Sequence, residues 1–112
     1  MKPLSIAVLL TAVVTISTVA MPVAAADIAA GAAKAREVCA SCHGLNGDSP
    51  LPENPKIGGQ HADFLAKALR DYKSGARKNP VMAGFAAGLT AQDMDNLAAY
   101  YASQPRRLRS EY

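Results

Sequence analysis

Val38-Cys39-Ala40-Ser41-Cys42-His43-Gly44 decides the reading of this 112-residue chain. It spells C-x-x-C-H, the pattern of covalent haem attachment. On a helix, Cys39, Cys42 and His43 fall at i, i+3 and i+4 and share one face. Two thiols so placed add to the two vinyl groups of a haem, and the neighbouring imidazole reaches the iron. The motif occurs once, so one covalently attached haem is expected. What fills the other side of the iron then decides what the protein does.

Outward from the motif, the N-terminal side divides in two. Residues 1–26 read as a cleaved, Sec-type signal peptide. Lys2 supplies the charge, residues 4–19 the apolar run, and Ala24-Ala25-Ala26 the small-residue cleavage site before Asp27. The alternative is an uncleaved N-terminal membrane anchor. Against it, the run is short, is interrupted by Thr11, Thr15, Ser17 and Thr18, and lacks a basic stop. Export implies a periplasmic protein.

The whole chain carries 12 Lys plus Arg against 9 Asp plus Glu, a formal net charge of +3. Loss of Lys2 with the leader reduces this to +2, and two ionised haem propionates bring it near zero. The basic residues are dispersed and aromatic residues are few, which excludes a nucleic-acid surface. What remains is a small domain, residues 27–104, followed by a basic tail, residues 105–112. Domains of this size often need a staple. A haem hiding roughly 400 Å² of apolar surface contributes about 10 kcal/mol at ~25 cal/mol/Å², comparable with a domain's whole stability of about 5–15 kcal/mol. The chain without haem is therefore expected to be largely unfolded.

The pattern predicts an all-α domain of three to five short helices and loops wrapped around the haem. Residues 28–40 read as a first helix, in which Gly31 and Ala35, four apart, form a small-residue face. That face either admits a close helix crossing or has no role. Residues 45–60 form a loop rich in Gly and Pro, long enough to wrap one haem face. Within it, the Pro55 carbonyl is placed to accept the ring N–H of His43 and orient it; from sequence alone, Pro55 as a loop stiffener is the simpler reading. Residues 62–74 read as a second long helix, with an apolar stripe of Phe64, Leu65, Ala68, Leu69 and Tyr72. Lys67, Arg70 and Lys73, with Arg77 and Lys78 beyond them, read as a solvated face. Residues 75–89 read as a second loop, broken by Pro80, Gly84 and Gly88. Thr90-Ala91-Gln92-Asp93 opens the last helix with a capping pattern, and Met94, Leu97, Ala98 and Tyr101 form its stripe, extended by Tyr100.

Three side chains compete for the sixth position on the iron. Met94 sits on an apolar helix stripe, where core packing explains it. His61 starts a helix and reads as exposed. Met82 lies between Pro80 and Gly84, far enough along to return over the opposite haem face, and is the favoured ligand.

The chain resembles the class I c-type cytochromes, in particular the small periplasmic single-haem bacterial members and one half of the two-haem members. The resemblance runs over residues 31–104. It rests on Cys39-Ala40-Ser41-Cys42-His43-Gly44, Pro55-Lys56-Ile57-Gly58-Gly59-Gln60, Pro80-Val81-Met82-Ala83-Gly84, Leu89-Thr90 and Leu97-Ala98-Ala99-Tyr100-Tyr101. It implies the cytochrome c fold, haem c on Cys39 and Cys42, axial ligation by His43 and Met82, and Pro55 as acceptor for the His43 ring. It also implies a crossing of first and last helices at Gly31, near Leu97 and Tyr100. The basic end after Pro105 has no counterpart in it.

An iron held by His and Met carries electrons rather than substrates. The expected function is periplasmic electron transfer to transient redox partners: a membrane cytochrome complex, a terminal oxidase or a periplasmic dehydrogenase. Neither nucleic acid nor a small-molecule substrate is expected. The alternatives are a haem subunit of an oxidoreductase complex or a peroxidase-like enzyme, a Cys39/Cys42 dithiol pair, and a zinc site on Cys39, Cys42, His43 and His61. Adjacent Cys42 and His43 make poor tetrahedral partners for zinc, and the dithiol pair lacks its usual βαβ setting.

Overall fold

The computed structural model describes residues 13–106. Lys2 and the first part of the apolar run, and Arg107 and Arg109 of the tail, lie outside the described residues. Among the described residues, regular structure begins at α1, Ile28–Lys34. A π-helical turn, Ala35–Cys39, follows without a break, and α2, Ala40–His43, completes the run. Then come α3, Ala62–Ser74, α4, Pro80–Ala87, and α5, Ala91–Ala102. The described residues are all helix and loop, as the pattern predicts.

The first helical run extends beyond residue 40 to His43. It stops where Gly44 takes φ 76°, a conformation open to Gly because it has no Cβ. The π turn falls within this run and ends on Cys39, the first residue of the cysteine motif; such bulges are frequent at functional sites.

The region 75–89 is not all loop, because Pro80–Ala87 is helical. Asn79 caps the helix, its side chain accepting from Val81 N and Met82 N at 3.1 Å each. Pro80 is tolerated at the first helical position because its missing N–H would have been unpaired there anyway. Pro80 and Gly84 read as breakers, whereas here Pro80 is a start signal and Gly84 sits in open space.

At the other helix starts, the sequence signals act as expected. Thr90 accepts from Asp93 N at 3.0 Å while Asp93 accepts from Thr90 N at 2.9 Å, a complete capping box. The 45–60 segment is a loop that closes on itself, with Ile57 N and Gly58 N both donating to the Gly47 carbonyl.

The core lies where α1 and α3 pack on α5. It contains Ala35, Leu65, Ala66, Leu89, Met94, Leu97, Ala98, Tyr100 and Tyr101. Gly31 lets α1 lie directly on the α5 backbone: a Cβ added there would stand 2.1 Å from the Asn96 carbonyl oxygen and 2.9 Å from Tyr100 Cβ. The close-crossing reading of Gly31 is therefore the correct one. An Arg70–Asp95 ion pair of 2.6 Å spans the outer side of the α3–α5 contact, and α4 packs on α3.

Candidate functional site: a cavity between His43 and Met82

Two adjoining cavities open beside the core. One holds about 910 Å³ counted to its open mouth, the other about 800 Å³. Both are bordered by Cys39, His43, Pro55, Tyr72 and Met82. The apolar stripe of α3 supplies one wall of the first, through Phe64, Leu65, Ala68, Leu69 and Tyr72. Cys42 borders the second, with Val81 and Phe85 of α4.

His43 is buried at the end of α2. Its Nδ1 lies 2.8 Å from the Pro55 carbonyl oxygen. A carbonyl only accepts, so Nδ1 carries a proton, and in the neutral ring Nε2 is then the nitrogen with the lone pair for a metal. Pro55 thus does more than stiffen the loop. The loop's self-closure puts its carbonyl there: Gly47 has φ 76°, and a Cβ on Gly58 would meet the Asn46 carbonyl oxygen at 2.3 Å.

Further contacts hold the end of α2, and the sequence pattern did not single them out. Buried Ser49 sets its Oγ 2.9 Å from both the Cys42 and Leu51 carbonyls and accepts from Leu51 N. Tyr100 donates to the Leu45 carbonyl at 2.6 Å, and Tyr101 to the Gly44 carbonyl at 3.2 Å. Hydroxyls at a helix C-terminus satisfy carbonyls that the helix leaves open. The aromatic stripe at positions 100 and 101 was legible, but its hydrogen-bonding partners were not.

Burial pushes the Cys39 thiol up to about 11. Such a thiol resists ionisation, which is the opposite of a reactive redox cysteine. The Tyr101 phenol is likewise pushed well above its ordinary value by burial, with smaller contributions from Cys39 and Tyr100. Among the described residues, no cluster of three or more His, Cys, Asp or Glu side chains is placed to hold a metal ion, so the zinc reading has no support. Met94 is 3% exposed in the core, and His61 is an exposed residue at the start of α3. Neither borders the cavities; Met82 borders both.

The residues fit a haem. Two thiols, an imidazole with its Nδ1 proton engaged, and a thioether border one largely apolar space. Lys56 and Arg77 add positive charge to the lining of the first cavity, with Lys56 also paired to Asp48 at 2.9 Å and Arg77 lying 5.0 Å over the Tyr72 ring.

An all-α chain of this kind, folded about a cavity bounded by C-x-x-C-H, has the architecture of a c-type haem protein. The cytochrome c family model matches residues 28–104, and the chain belongs to that family. It is 43% identical over 96 residues to a cytochrome c4 of Pseudomonas aeruginosa, covering 86% of this chain and 47% of that protein. Cytochrome c-554(548) of Halomonas halodenitrificans is 39% identical over 83 residues, covering 71% of this chain and 99% of the relative. The crystal structure of reduced recombinant cytochrome c4 from Pseudomonas stutzeri superposes with a TM-score of 0.67 at 40% identity, covering 72% of this chain and 47% of that one. The chain spans about half the length of the cytochromes c4 it matches. Covalently attached haem c is its cofactor.

Proposed function

We propose that Cys39 and Cys42 carry the haem through thioether bonds, that His43 and Met82 are the axial ligands of its iron, and that Pro55 fixes the His43 ring. The observation that carries this reading is the pairing of a His43 held in its Nδ1–H form with a Met82 bordering the same two cavities. Haem c, when bound, supplies a one-electron ferric/ferrous couple, and a thioether ligand raises its potential.

The protein's residues then do three things. The Pro55 bond holds the imidazole in one orientation and makes it a stronger ligand. The cavity walls from α3 and α5 exclude water. Val81 and Phe85, both exposed at the mouth, offer a small apolar rim at which a redox protein docks briefly, in an interface below about 1,200 Å². An iron held by His43 and Met82 would have no position left for a substrate, which favours a carrier over an enzyme. Residues 1–26 direct it to the periplasm. The partners are redox proteins there: a membrane cytochrome complex, a terminal oxidase or a dehydrogenase.

The test is the ferric absorption spectrum of the purified protein and of Met82→Ala. Loss of the weak sulfur–iron charge-transfer band, with carbon monoxide binding gained on reduction, is expected in the variant alone. An unchanged band in Met82→Ala, or strong carbon monoxide binding by the reduced parent at neutral pH, overturns the ligand assignment and the carrier reading with it.

A further inference from the structure

Asn96 is a buried polar side chain, 7% exposed, that the haem site does not use. Its Oδ1 accepts two hydrogen bonds: one from Gln92 Nε2 at 2.8 Å, the other from the backbone nitrogen of Asp27 at 2.7 Å, across 69 positions of sequence. Asp27 is the residue that follows Ala24-Ala25-Ala26. From residue 13 to residue 26 the chain has no regular structure and every residue is exposed. Asp27 is exposed too, but it is held: its side chain accepts from Ala30 N at 3.1 Å and its carbonyl from Gly31 N at 2.9 Å. The place is fixed by the α1–α5 crossing, since Gly31 abuts the Asn96 backbone carbonyl.

We propose that Asn96 is the seat of the finished protein's N-terminus, receiving the α-ammonium group released when the chain is cut between Ala26 and Asp27. The proposal rests on the reading of residues 1–26 as a leader. A leader peptidase hydrolyses the exposed Ala26–Asp27 amide. The C–N bond breaks, the oxygen of water joins the Ala26 carbonyl carbon to give a carboxylate, and the Asp27 nitrogen leaves with the protons as an ammonium. In the uncut chain that nitrogen offers one N–H, already committed to Asn96. After the cut it offers three and carries a positive charge, and the bond to Oδ1 becomes charge-assisted and stronger. Gln92 donates to the same oxygen and so holds the amide with its acceptor toward Asp27. Processing thereby strengthens the contact that closes α1 on α5.

Intact mass and N-terminal sequencing of the exported haem protein come first, with Asp27 expected as the first residue. The α-amine is then acylated with an amine-reactive ester at fixed neutral pH. Labelling is expected to be about tenfold slower in the parent than in Asn96→Ala, the order of one hydrogen bond to a charged group. Asn96→Asp gives the second arm. With Asp27 at the N-terminus, the new carboxylate has an ammonium partner. With Ala24-Ala25-Ala26 retained, it is buried beside a neutral amide, and the unfolding equilibrium is expected to shift toward the unfolded state by about tenfold relative to the cut form. A different first residue overturns the leader boundary and the seat together. Asp27 as first residue, with equal labelling in parent and Asn96→Ala, overturns the seat alone. If Asn96→Ala does not fold, the Asn96→Asp comparison decides: a response indifferent to the extension overturns the seat, and the expected difference supports it.

Discussion

Replacing Gly31 by alanine adds one methyl group at the tightest point of the α1–α5 crossing. An ideal Cβ there stands 2.1 Å from the Asn96 carbonyl oxygen, 2.6 Å from its carbonyl carbon and 2.9 Å from Tyr100 Cβ. Two of the three are backbone atoms, so no rotamer change relieves the clash. Relief requires the helices to part by about 1 Å, which loosens the contacts of Ala35, Leu97 and Tyr100. Overpacking of this kind costs about 1–3 kcal/mol, occasionally more, and backbone neighbours place Gly31 at the upper end. The gain in helix propensity from Gly to Ala offsets about 1 kcal/mol. The net expectation is a loss of about 2 kcal/mol, read as a lower denaturant midpoint in far-ultraviolet circular dichroism of the haem protein. Gly84 is the control. It lies inside α4 with nothing within 4 Å of an added Cβ, so Gly84→Ala gains about 0.5–1 kcal/mol from propensity alone. The two substitutions are chemically identical and are expected to have opposite signs. A Gly31→Ala protein as stable as its parent would falsify the close crossing on which the core depends.

Three further outcomes are expected. Ser49→Ala removes the hydroxyl that bridges the Cys42 and Leu51 carbonyls, which costs about 1–3 kcal/mol and loosens the loop carrying Pro55; faster hydrogen exchange at Leu51 N is the readout, and unchanged protection there counts against the bridge. Asp93 has its carboxyl held below its ordinary value, first by the bond from Thr90 N and then by the Thr90 hydroxyl. A depressed folded-state value means that its contribution is complete above the unfolded carboxylate range, near pH 4, and is lost as pH falls further. Asp93→Asn is therefore expected to flatten the acid limb of a stability–pH profile; an acid limb identical to the parent's removes the capping carboxylate from the account. Finally, the Cys39→Ser, Cys42→Ser double variant, which cannot attach haem, is expected to show little helix and no cooperative melting. A sharp, near-native transition in that chain refutes the haem as the domain's staple.

The sequence showed some parts of this protein and concealed others for identifiable reasons. Helix α3 and the Thr90 cap were legible because local rules govern them: apolar spacing of three and four, and a side chain three residues from its partner. Helix α4 was hidden because Pro80 and Gly84 have two meanings each. Proline stops a helix it enters late and starts one it enters first. Asn79, immediately before it, was the signal that separates these cases. The pairing of His43 with Pro55 spans 12 residues and depends on a loop closure fixed by Gly47 and Gly58, so it was implied by the family resemblance, whereas the loop residues by themselves favoured Pro55 as a stiffener. The hydroxyl bonds of Tyr100 and Tyr101 reach back 55 and 57 residues. Aromatic residues on a helix stripe announce burial, but not which carbonyl their oxygen will find.

Those long-range bonds also show why the helix crossing and the haem site are one problem rather than two. Tyr100 supplies both the Cβ that abuts Gly31 and the hydroxyl that holds the Leu45 carbonyl. Tyr101 borders the cavity and holds the Gly44 carbonyl just after His43, while its own carbonyl accepts from Gly59 N. A shift of α5 against α1 therefore moves both the turn that follows His43 and the loop that carries Pro55. The imidazole is positioned by the same helix that closes the core. A substitution at Gly31, in a helix that does not itself border the cavities, is thus expected to disturb the surroundings of the His43 ring as well as the stability of the domain. Resolved ring-proton shifts of His43 in the Gly31→Ala haem protein, displaced relative to the Gly84→Ala control, are the observation that this coupling requires.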